Sequence, residues 1–387
     1  MLEVQLRMLQ GLGYSQLTTA ATAQEALLQL EHDPHSAELL VCDLAMPDMD
    51  GIQFLQTLNA SPFRGSVILL SGISARVMHT VQKLLGGSQL TILGALTKPA
   101  TPGALRGLLE CWTPQTGLNA TTQPLIFTAD DLRAASRERQ WVVHYQPQVD
   151  LKTGEVVGME ALVRWTHPRY GLLHPEHFIL QAEQCGAIDG LTDQVVSDSL
   201  AQQASWRSTG LRVQMAINVS TQNLQTPDFW RILTGGALGA GVAPQDVTLE
   251  ITETRLMSSS RAPLENLVRL RLQGFNLSID DFGVGHSSLA QLRDLPFTEL
   301  KVDRGFVKGA RNNQIVRPIL EGSLGIAKRM GMRSVAEGVE TEDDWRLMRE
   351  LECDMAQGHF IAQPMPVEHV EEWLQLWQAR RAGLVGG

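Results

Sequence analysis

Eight polar side chains close apolar runs along this sequence: Glu160 in "VVGMEALVRW", Asn218 in "VQMAINVS", Glu250 in "DVTLEITE", Asp280 and Asp281 in "FNLSIDDF", Lys301 in "TELKVD", Glu337 in "RSVAEGVE" and Gln357 in "DMAQGHF". Any one of them has an ordinary reading as a cap or a turn residue. Together they form an all-oxygen donor set with one lysine and no cysteine or histidine cluster, which suits Mg²⁺ or Mn²⁺ rather than structural zinc. Carboxylates crowded into one place cannot all ionise without a counter-charge. Two adjacent aspartates can serve two ions a few ångströms apart, the arrangement that stabilises both the attacking and the leaving oxygen of a phosphoryl displacement. Lys301 could pair with a phosphate oxygen or polarise the attacking water.

Such chemistry requires that residues far apart in sequence meet. Several of the intervals are near thirty residues, the length of one strand and a returning helix. In a closed (β/α)8 barrel the C-terminal ends of all strands share one mouth, so the spacing predicts convergence. From about residue 127 to residue 387, strand and helix patterns alternate over the size that barrel needs. Residues 1–112 alternate likewise in "LLVCDL", "SVILLSG" and "LTILGALTKP", as in a doubly wound α/β unit. Between them, residues 113–126, "TPQTGLNATTQPLI", have linker composition.

Composition narrows the function class. The chain has 387 residues, 43% hydrophobic, and a formal net charge of -10. That charge argues against a nucleic-acid polymer as partner, because phosphate-backbone binders carry a basic face. No run is long enough to span a bilayer and no signal pattern opens the chain, so no membrane role and a cytoplasmic location are expected. Four scattered cysteines, without a CxxC pair, read as buried thiols.

Residues 1–112 resemble a response-regulator receiver domain, on "LLVCDLAMPDMDG" with Asp43 at a strand end, Ser71 in "LLSG" and Lys98 in "LTKP". The resemblance implies that Asp43 accepts a phosphoryl group from a histidine kinase, with Ser71 and Lys98 contacting it. It also calls for an acidic pair ending a first strand, whereas "MLEVQLRMLQGLGY" reads as the helix that follows that strand. Ala95 stands where an aromatic switch residue is common. A start further upstream explains this better than degeneration, since losing a strand from a buried parallel sheet bares a helix face; phosphorylation at Asp43 stays open.

From residue 127 onward the sequence resembles the EAL family of cyclic di-GMP phosphodiesterases, on "YQP" at 145, "EALVRW" at 160, "NVS" at 218, "EITE" at 250, "DDFGVGHSSL" at 280, "KVD" at 301, "AEGVE" at 336 and "QGHF" at 357. The resemblance implies hydrolysis of one phosphodiester bond to give linear pGpG. It implies Glu160, Asn218, Glu250 and Asp280 as ligands of a first metal ion, and Asp280, Asp281 and Glu337 at a second. Glu337 or Lys301 would take the proton of the attacking water, and Gln357 would orient that water or the Glu337 carboxylate. Gln146, Leu162 and Arg164 would contact the substrate. Glu253 would anchor the loop after Asp281, which in the family couples activity to a homodimer or higher homo-oligomer. A competing reading, a receptor that binds the nucleotide without turnover, is disfavoured because degenerate members lose a ligand or the catalytic glutamate.

Other features read as structure. Phe282 can anchor the loop, and Gly283 and Gly285 permit unusual backbone angles there. "DFG" without a Gly-rich nucleotide loop does not indicate a kinase. His286 and His359 depart from the residues common at their positions. Phe178, Ile179 and Leu180 are expected as core, and Trp373 and Trp377, four apart, as one packed face.

Overall fold

The structure, a computed structural model, describes residues 2–34, 36–44, 46, 49–63, 65–71, 90–98, 100–110, 112, 125–252, 261–283 and 289–385. The chain divides into two compact units, Met1–Thr122 and Gln123–Gly387. The expected linker, 113–126, falls largely outside the described residues.

In the first unit β1 (Leu39–Asp43), β2 (Ser66–Ser71) and β3 (Thr91–Thr97) form a parallel sheet in that order. The sequence of β2, "SVILLS", is apolar throughout because both faces are covered, as parallel sheets require. Val67 and Leu69 pack with Phe54, Leu55 and Leu58 of the Gly51–Ala60 helix. Ile68 and Leu70 pack on the other face with Leu105 and Leu109 of the Pro102–Glu110 helix, and Met8 and Leu9 of the Leu2–Gly11 helix join them. Asp50 caps the middle helix by accepting from Gln53 N at 2.8 Å.

The second unit is an eight-stranded closed barrel with a departure from the parallel pattern. Its strands are β4 (Trp141–Asp150), β5 (Val156–His167), β7 (Gln214–Asn218), β8 (Val247–Thr252), β9 (Asn276–Phe282), β10 (Glu299–Val302), β11 (Arg333–Ala336) and β12 (Met355–Ala356). The short β6 (Gly171–Leu173) extends the β5 edge beyond the ring. β4 runs antiparallel to both its neighbours, β5 and β12, and every other junction in the ring is parallel. The cause lies in the turn between β4 and β5. Asp150 Oδ1 accepts from the backbone N of Lys152 and Thr153, and Gly154 takes φ +68°, so the chain reverses within a few residues. A reversal that short can only join antiparallel strands, since a parallel pair needs a long crossover. Trp377 Nε1 donates to Gly154 O at 2.9 Å and stacks on Trp373, tying the C-terminal helix to that turn.

One core expectation fails. Phe178 is fully buried and Ile179 half-buried, but Leu180 is 54% exposed. The Ile179–Gln184 helix begins there, and residues successive on a helix cannot share a face. Cys42 and Cys353 are buried thiols and Cys185 is partly so. Among the described residues no helix is long and apolar enough to cross a membrane.

Candidate active site

Side chains alternate along a strand, so the residues at even numbers on β5, β7, β8 and β9 share the inner face of the barrel. Register confirms the placement: Gln146 pairs with Glu160, Asn218 with Glu250, and Glu250 with Ser278, two residues before Asp280. Lys301 sits in β10, and Glu337 follows the last residue of β11, its backbone N bonded to Val302 O. Gln357 follows β12.

Strict alternation would send Asp280 and Asp281 to opposite faces. Asp281 breaks it with φ +55°, a left-handed backbone, and the register between β9 and β10 shifts at the same place. An irregularity of this kind re-aims a side chain at a sheet rim, and aspartate is one of the few residues that tolerates the angle. Asp280, Asp281 and Glu337 thereby each offer a carboxylate oxygen within 4.8 Å of the others. Phe282 returns to the core. Gly283 takes φ +100°, and a Cβ there would lie 2.8 Å from the Phe306 ring.

Lys301 is fully buried at the centre. Its Nζ lies 2.6 Å from Glu337 Oε1, 2.8 Å from Glu250 Oε2, and 3.5 Å from both Glu160 Oε2 and Asp280 Oδ1. Burial alone would depress the ammonium, but Asp280, Glu160, Glu250 and Glu337 raise it well above the ordinary lysine value. Counting Asp281, five carboxylates surround one cation. The excess shows in the acids: burial pushes Glu337 up to about 8, with Lys301 offsetting part of the rise. Burial, then Asp280 and Asp303, lift Asp281 to about 6, and burial with Glu160 lifts Glu250 well above its usual range. Glu160 moves the other way. Burial opposes its ionisation, but Lys301, Gln357 and Asn218 hold it below the ordinary carboxylate value.

This donor set fits a hard divalent cation. Five carboxylates exceed the charge that one lysine can balance, and Glu250 Oε1 is buried without a hydrogen-bond partner among the described residues. Asn218 donates Nδ2 to Glu160 Oε1 at 2.8 Å, which leaves its carbonyl end as the oxygen donor.

An amide chain holds Glu160 in place. Gln148 donates to Gln357 Oε1 at 3.0 Å, and Gln357 donates to Gln146 Oε1 at 2.8 Å and to Glu160 Oε2. Gln146 in turn donates to Ala362 O at 2.9 Å. Both ends of Gln146 are therefore bonded within the protein, and Gln357 steadies Glu160 rather than Glu337. Gln148 escaped the sequence reading. It stands two residues from Gln146 in "YQPQVD", a period-two signal that was there to be followed. Leu162 and Arg164 share the inner parity of Glu160 further along β5, where Arg164 is buried and donates Nη1 to Val163 O.

Glu253, His286 and Gly285 lie outside the described residues. In the first unit Asp43 closes β1 and forms an ion pair with Lys98, whereas the Ser71 side chain and Ala95 side chain lie outside the described set.

The model of the EAL domain matches residues 129–364, and that of the response regulator receiver domain matches residues 1–110. The chain belongs to the EAL family. Every residue of the acidic cluster falls inside the EAL match. The cyclic di-GMP phosphodiesterase RocR of Pseudomonas aeruginosa is 33% identical over 358 residues, 90% of this chain and 90% of that protein. The cyclic di-GMP phosphodiesterase NbdA of the same organism is 39% identical over 250 residues, 64% of this chain and 32% of that protein. A solved EAL relative, the PaMucR phosphodiesterase in complex with c-di-GMP, aligns with a TM-score of 0.59 at 35% identity, covering 62% of this chain and 98% of its own.

Proposed function

We propose that this chain hydrolyses cyclic di-GMP to linear pGpG at the mouth of the barrel, under the control of its receiver unit. The observation that carries the reading is the gathering of Glu160, Glu250, Asp280 and Glu337 within 3.5 Å of the Lys301 ammonium, with Asp281 beside them. RocR and PaMucR, similar to this chain, carry the phosphodiesterase name.

Glu160, Asn218, Glu250 and Asp280 would hold one Mg²⁺ or Mn²⁺, and Asp280, Asp281 and Glu337 a second. Such ions supply Lewis acidity toward the phosphodiester and a water acidic enough to attack at neutral pH. Lys301, kept charged by its carboxylate neighbours, is suited to stabilise negative charge on the phosphoryl oxygens and unsuited to accept a proton. Glu337, which Lys301 and a bound cation would hold ionised, is the better acceptor. The water oxygen would bond to phosphorus as one of its protons passes to Glu337, and the bond to the 3′ oxygen of one guanosine would break, that oxygen taking a proton from solvent to leave as the 3′ hydroxyl. Arg164 and Leu162 line the approach, with Arg164 a phosphate contact; Gln357 acts on Glu160 through its amide, and Gln146 braces Gln357.

The test is incubation of purified protein with cyclic di-GMP and Mg²⁺, followed by nucleotide separation. The expected result is pGpG that disappears with chelator, and a kcat lowered ~10²–10⁴-fold in Glu337→Gln. Tight binding without any product would overturn the hydrolase reading in favour of a receptor. For the receiver unit, Asp43 is our candidate phosphoacceptor for a histidine kinase, supported by its pairing with Lys98. Label from a small phosphoryl donor should enter the parent and not Asp43→Asn. The same reading makes the working form a cytoplasmic homodimer or higher homo-oligomer.

A further inference from the structure

The short Ile179–Gln184 helix bonds both to the point where the chain enters the second unit and to the loop that follows Asn218. Two of its side chains make those bonds. Gln181 and Glu183 stand two apart, about 200° around the helix axis, so they reach to opposite sides. Gln181 uses its whole amide: Oε1 accepts from Phe127 N at 2.6 Å, and Nε2 donates to Leu125 O and to His177 O, each at 2.8 Å. The Phe127 ring packs on Trp165 with centroids 4.5 Å apart. The end of the linker is thus pinned to this helix.

On the other side Glu183, which is 6% exposed, accepts from the Ser220 hydroxyl at 2.8 Å. Ser220 is two residues past Asn218 and caps the Thr221–Gln225 helix: its Oγ accepts from Gln222 N at 3.2 Å, and its own N–H donates to Asn223 Oδ1 at 3.1 Å. Asn218 is the last residue of β7, so the aim of its side chain depends on what holds the two residues after it. Val219 N donates to Glu250 O at 2.9 Å, and Glu183 holds Ser220.

We propose that Glu183 is a positioning residue for Asn218 and that Gln181 ties that position to the linker, so that a displacement of the chain entering the second unit reaches a cation ligand. The connection is a run of direct bonds: Leu125 and Phe127 to Gln181, half a turn of helix to Glu183, then Ser220 and two peptide units back to Asn218. It deepens the reading that the receiver unit controls the barrel, and it rests on Asn218 being a cation ligand.

Calorimetric titration of the full chain with Mn²⁺, without nucleotide, tests it. Glu183→Ala should bind Mn²⁺ ~10-fold more weakly than the parent, the scale of a supporting-residue defect at a metal site. Ser220→Ala removes the same bond with little change of volume and should show the same loss, whereas Glu183→Gln keeps an oxygen that can accept from Ser220 and should bind as the parent does. Gln181→Leu should weaken Mn²⁺ binding in the parent and add little once Glu183→Ala has cut the connection. A purely structural role would lower the melting temperature in chelator and leave the Mn²⁺ affinity of the folded protein unchanged. Parent-like affinity in folded Glu183→Ala or Ser220→Ala therefore overturns the positioning role. A Gln181→Leu loss of equal size in both backgrounds, or in neither, overturns the tie to the linker. Absence of Mn²⁺ binding by the parent itself removes the cation site and the inference with it.

Discussion

Asp281 holds a left-handed angle that costs most L-residues about 1–2 kcal/mol, and the return on that strain is a carboxylate aimed where a straight strand could not send it. Asparagine tolerates the same angle but carries no charge. Asp281→Asn should therefore melt no lower than the parent in chelator, since it removes one of five crowded acids, while phosphodiesterase activity falls at least ~100-fold. Parallel melting and nucleotide assays check both halves, and a well-folded variant with full activity would exclude Asp281 from the site. The sequence announced the acids because each closes an apolar run. It did not announce the angle, because "DDFG" fits an ordinary turn equally well. Gln148 was missed for a different reason: it stands two residues from Gln146 on the same face, deeper in the barrel, and a reading of strand ends stops before reaching it.

The element that most alters the expected architecture is β4. Alternation along a strand has no direction, and only the tight turn at Asp150–Gly154 dictates that β4 run backwards. Its partner β5 has a glycine at position 158 whose absent side chain makes room for Gln148; a Cβ there would lie 2.5 Å from Gln148 Oε1. Gly158→Ala should push Gln148 off Gln357 and loosen Glu160. We expect about 1–3 kcal/mol of lost stability from the overpacking, together with a kcat reduced roughly ten-fold. Chemical denaturation and steady-state kinetics give the two numbers. Unchanged kcat in a destabilised variant would mean that the amide chain supports the fold and not the site. The barrel helices were legible as amphipathic patterns, except where a run of apolar residues such as Phe178–Leu180 was taken as a single face.

For the molecule as a whole, the net charge of -10 and the five clustered acids predict how stability should follow pH. Glu337 at about 8 and Asp281 at about 6 both lie above the ordinary carboxylate range in the folded state. Raised acids favour the protonated fold, so the stability they lend is full at low pH and is lost as pH rises through those values. In chelator the melting temperature should fall between about pH 5 and about pH 9, and excess Mg²⁺ should flatten the slope by replacing the missing protons with a cation. A melting temperature in chelator that stays level across that range would contradict the crowding. The two-unit organisation was legible from composition and strand spacing; how the ring closes was not, because closure is a pairing between residues that no local pattern links. That closure carries a further consequence. The ring's last seam joins Val149 to Ala356, so the whole stretch between them must be synthesised after the first stave before the final one arrives. A nascent chain still lacking β12 has neither a sealed cask nor Gln357 to steady Glu160, and an emerging copy would therefore be unable to deplete the messenger until β12 has been made.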